Sequence, residues 1–345
     1  MYLTADTLDD LLEQVFTELV RLKTYVSPSR GQNRELTGLV LRIKNPRARL
    51  SHSETKGFLF SALGEFLWYL SKRNDVNFIS YYIRKYIEEA DGSDKVYGGY
   101  GPRIFYHDGK IDQFENVIKT LTKNPESRRA VIQLFDAVDI DGQRRKEIPC
   151  TCTLQFLIRN SRLDMYTHMR SNDAYKGLPH DVFAFTMIQE ILSHILEVNL
   201  GEYYHSVNSL HLYKDDEDSV REYLEEGYQS TEAMPPMPAG NIMAMVEKIL
   251  NIEEGYRLGN PVDIQVSQLD NYWMDIAHLL QIFRLSKDRQ RDDLRKIILI
   301  KGNMNSTFYQ KYIRRREQRF RDYHIPEQPE LPFKEAIDVV KKHET

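Results

Sequence analysis

Cysteine is nearly absent from this sequence. Its 345 residues include only Cys150 and Cys152, two positions apart in one predicted strand. Side chains at such positions share a face of the strand, but cysteines so close on an extended backbone are poorly placed to bond each other. The chain therefore has no disulfide framework, which favours a reducing compartment.

Long apolar runs are also missing. No apolar run of about 18 residues or more is present, so the sequence predicts no membrane-spanning helix. The N-terminal segment MYLTADTLDDLLEQVF lacks the basic region and apolar run of a secretion signal. We expect a cytoplasmic protein with no membrane partner.

A large excess of charge of one sign is absent too. The chain has 47 Lys and Arg against 51 Asp and Glu, and a formal net charge of -4. This balance does not favour nucleic-acid binding, although a local cluster of arginines can still hold a small anion. We expect no nucleic-acid partner and no metal site.

The 41% hydrophobic content is enough for one large core. Periodicity predicts helices and strands that alternate along the chain, without internal repeats or a clear domain boundary. We therefore expect a single α/β (α+β) domain over residues 1–345, with a mixed or antiparallel sheet covered by helices. Its core is placed at about 25–300, with a basic helical extension at about 287–345. The main predicted helices cover residues 8–22, 55–70, 75–90, 111–122, 180–198 and 215–226. The predicted strands cover residues 39–43, 130–135, 150–159, 162–170 and 202–213. Residues 97–103 are predicted to form a glycine-rich loop.

Cys150 follows Pro149 at the start of an alternating, strand-like run. A thiolate at such a position can act as a nucleophile if a nearby positive charge favours the ionised form. A small buried hydrophobe is the alternative, and for an isolated strand cysteine it is the commoner case.

Glu65 lies inside a helix that has almost no polar face, FLFSALGEFLWYL. Buried carboxylates are rare unless they are paired, and burial raises their pKa. Glu65 is therefore a candidate acid–base group, with a structural role as the alternative.

Several arginines suit an anionic ligand. Arg170 ends a predicted strand and precedes Ser171, so a charged fork and a hydroxyl stand side by side. Arg128 and Arg129 precede another strand, and alternation turns them to opposite faces. A solvated surface position is the alternative for all three arginines.

The turn Gly177-Leu178-Pro179 opens a predicted buried helix, with Asp181 in its first turn. The helix dipole alone would favour a carboxylate there, which is the structural alternative. His211 and Tyr213 alternate on a later strand and suit a sugar hydroxyl.

In combination and in this order, these segments resemble the thymidylate synthase family, from about Arg30 to Tyr213. The resemblance points to the family's cytidylate hydroxymethylase branch. It rests on Gly64-Glu65-Phe66-Leu67-Trp68, Tyr100-Gly101, Ser127-Arg128-Arg129, Pro149-Cys150, Arg170-Ser171, Asp173, Gly177-Leu178-Pro179 and His211-Leu212-Tyr213.

The resemblance implies a role for each matching residue. Cys150 adds to C6 of a pyrimidine nucleotide, Glu65 organises water and proton transfer, and Tyr100 belongs to the active-site loop. Arg30, Arg170 and Ser171 hold the 5′-phosphate, with Arg34 an alternative to Arg30. His211 and Tyr213 bind the sugar, and Asp173 and Gly177 contact the folate. Arg128 and Arg129 reach the phosphate of a neighbouring subunit, which implies a homodimer across the sheets.

One departure concerns the base. Thymidylate synthases carry asparagine where this chain has Asp181, and a carboxamide matches the O4 acceptor and N3–H donor of uracil. A protonated carboxyl matches the 4-amino donor and N3 acceptor of cytosine, and a carboxylate matches cytosine protonated at N3. The change favours a cytosine nucleotide.

Two further departures concern the captured carbon. The segment from Tyr82 to Glu89 lacks the family's tryptophan, with Tyr86 its nearest counterpart, and the chain ends in Lys341-Lys342-His343-Glu344-Thr345 rather than in an apolar residue. Both favour capture by water over reduction by hydride.

The sequence thus predicts a hydroxymethyltransferase that uses 5,10-methylenetetrahydrofolate and converts CMP or dCMP into its 5-hydroxymethyl derivative, releasing tetrahydrofolate. A synthase that makes dTMP from dUMP and a catalytically inactive nucleotide-binding module are the alternatives.

Overall fold

The computed structural model describes residues 1–28, 30–90, 92–142, 145–264, 267–288, 290 and 292–324, with side chains described as far as residue 321. No helix among these residues is both long and apolar enough to cross a membrane.

A mixed sheet of seven strands forms the centre of the fold, as predicted. Its order is β1-β2-β7-β5-β4-β3, and β6 pairs with one end of β7. β1–β2, β5–β7 and β6–β7 are parallel, and the other pairs are antiparallel. The strands are β1 (Tyr2–Ala5), β2 (Asn33–Ile43), β3 (Val131–Gln133), β4 (Thr151–Arg159), β5 (Arg162–Met169), β6 (Asn172–Asp173) and β7 (Asn199–Tyr213).

The described residues also form twelve α-helices. They are α1 (Leu8–Arg21), α2 (Leu59–Leu70), α3 (Val76–Tyr82), α4 (Tyr86–Glu89), α5 (Tyr100–Phe105), α6 (Gln113–Lys123), α7 (Gly177–Ile195), α8 (Glu217–Glu225), α9 (Ile242–Leu258), α10 (Asn271–Asp288), α11 (Asp293–Gly302) and α12 (Gln310–His324).

Helices α1 and α7 pack against the sheet, and α2 packs against α7. α7 is apolar around most of its circumference because it lies between the sheet and α2. Phe66 of α2 meets Phe183 of α7 edge to face, with ring centroids 6.2 Å apart. These contacts fix α2 and α7, which carry two of the candidate acids, relative to the strands.

The hairpin between β4 and β5 determines the position of Cys150. Asn160 and Ser161 have φ of 50° and 56°, which are the left-handed values that two-residue hairpin turns require. The turn sets a register that places Thr151 opposite Met169 at the other end of the hairpin. Cys150 and Arg170 are therefore neighbours, and the predicted hairpin is confirmed.

The predicted loop at residues 97–103 is wrong in its second half, because α5 begins at Tyr100. Gly101 suggested a flexible loop, but a Cβ at this position would lie 2.4 Å from the Arg73 carbonyl oxygen. The glycine is needed for close packing within a helix.

The single helix predicted for residues 75–90 is also wrong. It is interrupted at Ile83, whose backbone is extended (φ -129°, ψ 94°), so that α3 and α4 are separate helices. The interruption matters for the site because Tyr86, the first residue of α4, reaches Glu65.

The basic segment after residue 287 is more than a solvated surface. In α12, Tyr312 and Ile313 are buried, and the Tyr312 hydroxyl donates to the Ser51 carbonyl oxygen (2.9 Å). The buried cluster also includes Leu8 and Phe16 of α1, so the packed core extends on both sides of residues 25–300.

Candidate active site

Cys150 lies immediately before β4, beside Arg170. The Arg170 guanidinium donates to the carbonyl oxygens of Ile148 (3.2 Å) and Pro149 (2.9 Å) and approaches the Cys150 Sγ to 3.5 Å. The segment from Ile148 to Cys150 therefore carries the thiol and also fixes the Arg170 side chain through its carbonyl oxygens. This arrangement places a fixed positive charge next to the candidate nucleophile.

Burial nevertheless raises the pKa of Cys150 to about 11, and Arg170 offsets only part of that effect. Glu147 and Asp181 act in the same direction as burial when they are ionised. In the protein alone the thiol is therefore neutral at pH 7, and the expected help from arginine charge is outweighed. Attack by this sulfur requires its proton to be removed when the substrate is bound.

Glu65 is buried on α2, as predicted. The Tyr86 hydroxyl donates to its Oε1 (2.5 Å), and burial raises the pKa of Glu65 to about 7. A carboxyl with this pKa can both accept and release a proton near neutrality. The contact with Tyr86 was not predicted, since the sequence suggested only that Tyr86 stands near the position of the family's tryptophan.

Glu65→Gln should remove a pH dependence of stability. Between about pH 4.3, the pKa of an exposed glutamate, and pH 7, the folded protein binds more protons at this site than the unfolded chain. The free energy of unfolding therefore falls as pH rises through this window, by roughly 3 kcal/mol. Urea denaturation at a series of pH values measures the fall. The variant should lack it, exposed Glu126→Gln should keep it, and equal slopes in wild type and Glu65→Gln would contradict the burial effect.

Tyr100 is buried at the start of α5. Its hydroxyl accepts from the Thr151 backbone N–H (3.2 Å) and lies 2.9 Å from the Thr151 Oγ1. Tyr100 is thereby bonded to the residue after Cys150, as its place in the candidate site requires.

Asp181 lies in the second turn of α7. Burial raises its pKa well above the usual value for aspartate, and the charge of Glu65 raises it further. Desolvation therefore favours the neutral form of this carboxyl. At the start of the same helix, the Asp173 Oδ1 accepts the backbone N–H groups of Tyr175 (2.8 Å) and Lys176 (2.9 Å), which fixes that carboxylate.

The expected sugar-binding residues lie on β7, beside β6. The Ser171 Oγ is 3.4 Å from the His211 Nδ1, and the rings of His211 and Tyr213 meet edge to face at 4.9 Å. Burial lowers the pKa of His211. β6 pairs Asp173 with His211, so the residues expected to bind phosphate, sugar and folate occupy one end of the sheet.

Arg30, rather than Arg34, lies beside the cysteine segment. Arg34 is buried, and its Nε and Nη2 donate to the two carboxylate oxygens of Glu217, each at 2.9 Å. Arg30 donates to Glu89 and to the Lys146 carbonyl oxygen, both at 2.8 Å. Of the two arginines, Arg30 is therefore the one that contacts the segment before Cys150, where the expected phosphate ligand should lie.

Arg128 and Arg129 are exposed and lie away from Cys150. The Arg128 carbonyl oxygen accepts from the Gln155 side chain, and Val131 pairs with Gln155 in the middle of β4. Gln155 is five residues from Cys150, or about 16 Å along the strand. Within one chain, these two arginines are not part of the cluster around Cys150.

Sequence reasoning missed a third acid, Glu147. Its Oε2 accepts the Gly98 backbone N–H (3.0 Å), and burial raises its pKa. Its charge also raises the pKa values of Cys150 and Glu65, so it lies close to both. An acid two residues before the Pro149-Cys150 pair was the available sequence signal.

Lys56 was missed as well. It is buried, its Nζ lies 3.5 Å from the centroid of the Tyr175 ring, and burial lowers its pKa to about 8. The nearby charges of Asp173 and Asp216 oppose that shift. Lys56 therefore places a basic group beside the start of α7, which is the region expected to contact folate.

Comparison with known proteins accounts for this arrangement. A family model described as Thymidylate synthase matches residues 31–263. The chain belongs to the thymidylate synthase family. The match covers Cys150, Glu65, Asp181 and Arg170, and it begins one residue after Arg30.

One relative from this family is the deoxyuridylate hydroxymethyltransferase of Bacillus phage SP01. It is 27% identical over 221 residues, a match that covers 60% of this chain and 57% of the relative. The chain thus spans little more than half of that relative's length. The sequence comparison also drew on Lys341 to Thr345, which stand where the family has an apolar end. These residues lie outside the described part of the structure.

Proposed function

We propose that this chain transfers a one-carbon unit from 5,10-methylenetetrahydrofolate to C5 of CMP or dCMP, and that water captures the carbon. The products are the 5-hydroxymethyl nucleotide and tetrahydrofolate. The observation that carries the proposal is Asp181, a half-buried carboxyl whose pKa is raised well above its usual value by desolvation and which interacts electrostatically with Cys150 and Glu65.

Cys150 would add through its sulfur to C6 of the pyrimidine. The electron pair of the C5–C6 double bond then becomes available at C5 and, by conjugation, at N3 and the 4-amino group. Arg170 would bind the nucleotide phosphate while its guanidinium remains beside the Cys150 Sγ at 3.5 Å. The arginine thus links phosphate binding to the position of the nucleophile.

Asp181 would act where the negative charge develops. Its neutral carboxyl can donate to N3 of cytosine while its carbonyl oxygen accepts from the 4-amino group. When sulfur adds to C6, N3 becomes more basic and the proton can move from Asp181 to N3. This interaction is stronger in the transition state than in the ground state, so it raises the rate as well as the affinity.

When bound, 5,10-methylenetetrahydrofolate would supply the methylene group that becomes bonded to C5, and the loss of the C5 proton would accompany the departure of tetrahydrofolate. Asp173 and Gly177 would contact the folate at the start of α7. The backbone N–H groups of Tyr175 and Lys176 fix one oxygen of Asp173. Gly177 begins α7 and packs close to Asn172, since a Cβ would lie 2.5 Å from the Asn172 Oδ1. The Asp173 carboxylate therefore suits a ligand with hydrogen-bond donors.

Glu65 would activate the water that adds to the exocyclic carbon. With a pKa of about 7, it can take the proton that water loses when the C–O bond forms. Loss of the C6–sulfur bond then restores the aromatic ring. Tyr86 holds the carboxyl with a hydroxyl group, so this part of the site is more polar than one lined by an indole ring.

A second candidate is hydroxymethylation of dUMP. The phage relative is named for deoxyuridylate, and a neutral carboxyl can also donate to O4 and accept from the N3–H of uracil. This candidate shares every step with the first except the recognition of the base.

Separate incubation with CMP, dCMP, UMP and dUMP, each with 5,10-methylenetetrahydrofolate, tests the proposal by product mass. Hydroxymethylated cytidylate supports it, and the ratio of CMP to dCMP turnover identifies the sugar. Hydroxymethylated deoxyuridylate supports the second candidate. Formation of dTMP would indicate a synthase, and no turnover would indicate a nucleotide-binding module.

We also propose that the chain forms a homodimer through the sheet face opposite α1 and α7. Alternate residues of β4, β5 and β7 on this face are only half-buried. The rings of Tyr166 and Tyr204 stack there with centroids 4.6 Å apart, and Arg42 makes two hydrogen bonds of 2.7 Å with Glu202. Such a patch of stacked aromatic rings and paired charges suits contact with a second copy.

Subunit mixing should reveal a shared site. If Arg128 and Arg129 complete the neighbouring subunit's phosphate site, Cys150→Ser and the double variant Arg128→Ala, Arg129→Ala should each be inactive alone. After unfolding and refolding together in equal amounts, half of the dimers are mixed and each has one intact site, so about a quarter of wild-type activity should return. No recovery, with dimers confirmed by sedimentation, would contradict the shared site.

A further inference from the structure

Two arginines hold the segment 146–150 that leads into β4. Arg170 donates to two of its carbonyl oxygens, and Arg30, from the loop before β2, donates to the carbonyl oxygen of Lys146 (2.8 Å). The same nitrogen of Arg30, Nη2, also donates to the Glu89 Oε2 at 2.8 Å. An anion that reaches these arginines therefore finds Arg30 already paired with a carboxylate.

Glu89 is held in place by the short helix that carries it. It is the last residue of α4, and Tyr86 is the first, so the two side chains are neighbours on the helix surface. The Tyr86 hydroxyl donates to Glu65 (2.5 Å), and its ring meets that of Trp68 with centroids 5.4 Å apart. The Glu89 side chain is only 13% exposed, against 47% for Arg30. The anchored turn thus presents a fixed, largely enclosed carboxylate to the arginine.

The Arg30 nitrogen that Glu89 occupies is the one that a phosphate group needs. A guanidinium binds an oxyanion through two adjacent N–H groups, either Nε with Nη2 or Nη1 with Nη2, because the Cδ atom blocks the third edge. Nη2 has two hydrogens, and in Arg30 both are already used, by Glu89 and by the Lys146 carbonyl oxygen. A bidentate contact with phosphate therefore has to displace one of these two acceptors.

Glu89 is the acceptor that phosphate should displace. A phosphate monoester brings up to two negative charges next to the Glu89 carboxylate, and like charges repel, whereas the Lys146 carbonyl group is neutral. Once Arg30 has turned to phosphate, the enclosed carboxylate of Glu89 is left without its cation, which costs free energy. The exchange therefore lowers the affinity of the site for phosphate.

We propose that Glu89 is the resident counter-ion of Arg30, and that the nucleotide phosphate takes Arg30 over from it. Glu89 is thus a positioning residue that acts through Arg30 and limits the affinity for phosphate. The inference rests on the proposed function, because it takes Arg30 as a phosphate ligand. It predicts that loss of the Glu89 charge strengthens the binding of nucleotides and leaves the binding of nucleosides unchanged.

Glu89→Gln tests this, because the substitution keeps the size of the side chain and removes its charge. Calorimetry gives the affinities for CMP and for cytidine, and their ratio isolates the contribution of the phosphate. This ratio should rise about five-fold in the variant, since a partly exposed ion pair no longer has to be broken. Glu88→Gln is the matched control, because Glu88 is an exposed acid of the same helix and its replacement changes the charge equally. Its ratio should equal that of the wild type.

A double-variant cycle separates competition for Arg30 from simple repulsion between carboxylate and phosphate. Arg30→Ala should lower the ratio about ten-fold. In that background Glu89→Gln should have no effect, because no guanidinium remains to be contested. A five-fold rise without Arg30 would show general repulsion and overturn the inference. A fall in the ratio for Glu89→Gln alone would mean that the carboxylate orients Arg30 for phosphate, and an unchanged ratio would mean that it has no role; either result would also overturn it.

Inorganic phosphate is the probe that separates this inference from the proposed function. If the wild type neither binds nor converts CMP, dCMP, UMP or dUMP, the proposed function fails, but phosphate binding still needs only the arginines. Glu89→Gln should bind inorganic phosphate about five-fold more tightly than the wild type, and Arg30→Ala should abolish that difference. Equal affinities in the wild type and Glu89→Gln, or no binding to either, would contradict the role of Glu89.

Discussion

Cys150→Ser should lower the rate of product formation by about 10⁴-fold or more. A serine hydroxyl is a far weaker nucleophile than a thiolate, and the substitution removes the sulfur that lies 3.5 Å from the Arg170 guanidinium. Nucleotide affinity should change little, because phosphate, sugar and base are held by other residues. Single-turnover kinetics measure the loss, and calorimetry with CMP and dCMP measures the affinity.

Cys152→Ser is the matched control. Cys152 is half-buried two residues later on β4, and its thiol also has a pKa raised by burial. This variant should keep most of the wild-type activity. Turnover by Cys150→Ser within ten-fold of the wild type would contradict covalent catalysis, and loss of activity in both variants would indicate damage to the strand.

Asp181→Asn should reduce the cytidylate-to-uridylate ratio of kcat/KM by about 10³-fold. The carboxamide has no acidic proton to give to N3 when sulfur adds to C6, so the charge that develops on cytosine is left without its partner. Uracil loses much less, since the amide matches its O4 and N3–H. The variant should therefore be poor with cytidylate and relatively better with uridylate.

Asp164→Asn provides the comparison for this variant. Asp164 is a half-buried carboxyl on β5 whose Oδ1 accepts the Glu202 backbone N–H (2.7 Å), and burial raises its pKa as it does for Asp181. Its replacement should alter stability and leave the base ratio unchanged. An unchanged ratio in Asp181→Asn would remove the role of Asp181 in reading the base.

Local sequence patterns predict much of the fold. The hairpin at Asn160-Ser161, the buried helix after Gly177-Leu178-Pro179 and the apolar helix around Glu65 each follow from neighbouring residues, and the structure contains all three. The errors came from the same kind of signal. Gly101 suggested a loop, but it permits close packing against Arg73, which is distant in sequence and has no local signature.

In the candidate site, too, the sequence predicted some contacts and gave no signal for others. Cys150 and Arg170 were expected near one another, and the β4–β5 register brings them together. The bonds of Tyr86 to Glu65 and of Gly98 to Glu147 join separate elements, so no periodicity indicates them. The contact between the Asn172 Nδ2 and the His205 Nε2 (3.1 Å) also joins separate strands, because β6 pairs with β7 only in the complete sheet.

The origin of the oxygen in the product tests the central claim most directly. The protein is incubated with cytidylate and 5,10-methylenetetrahydrofolate in water enriched in oxygen-18, and the nucleotide and folate products are identified by mass. We predict a 5-hydroxymethyl nucleotide that carries oxygen-18, together with tetrahydrofolate. A methylated nucleotide together with dihydrofolate would contradict this account.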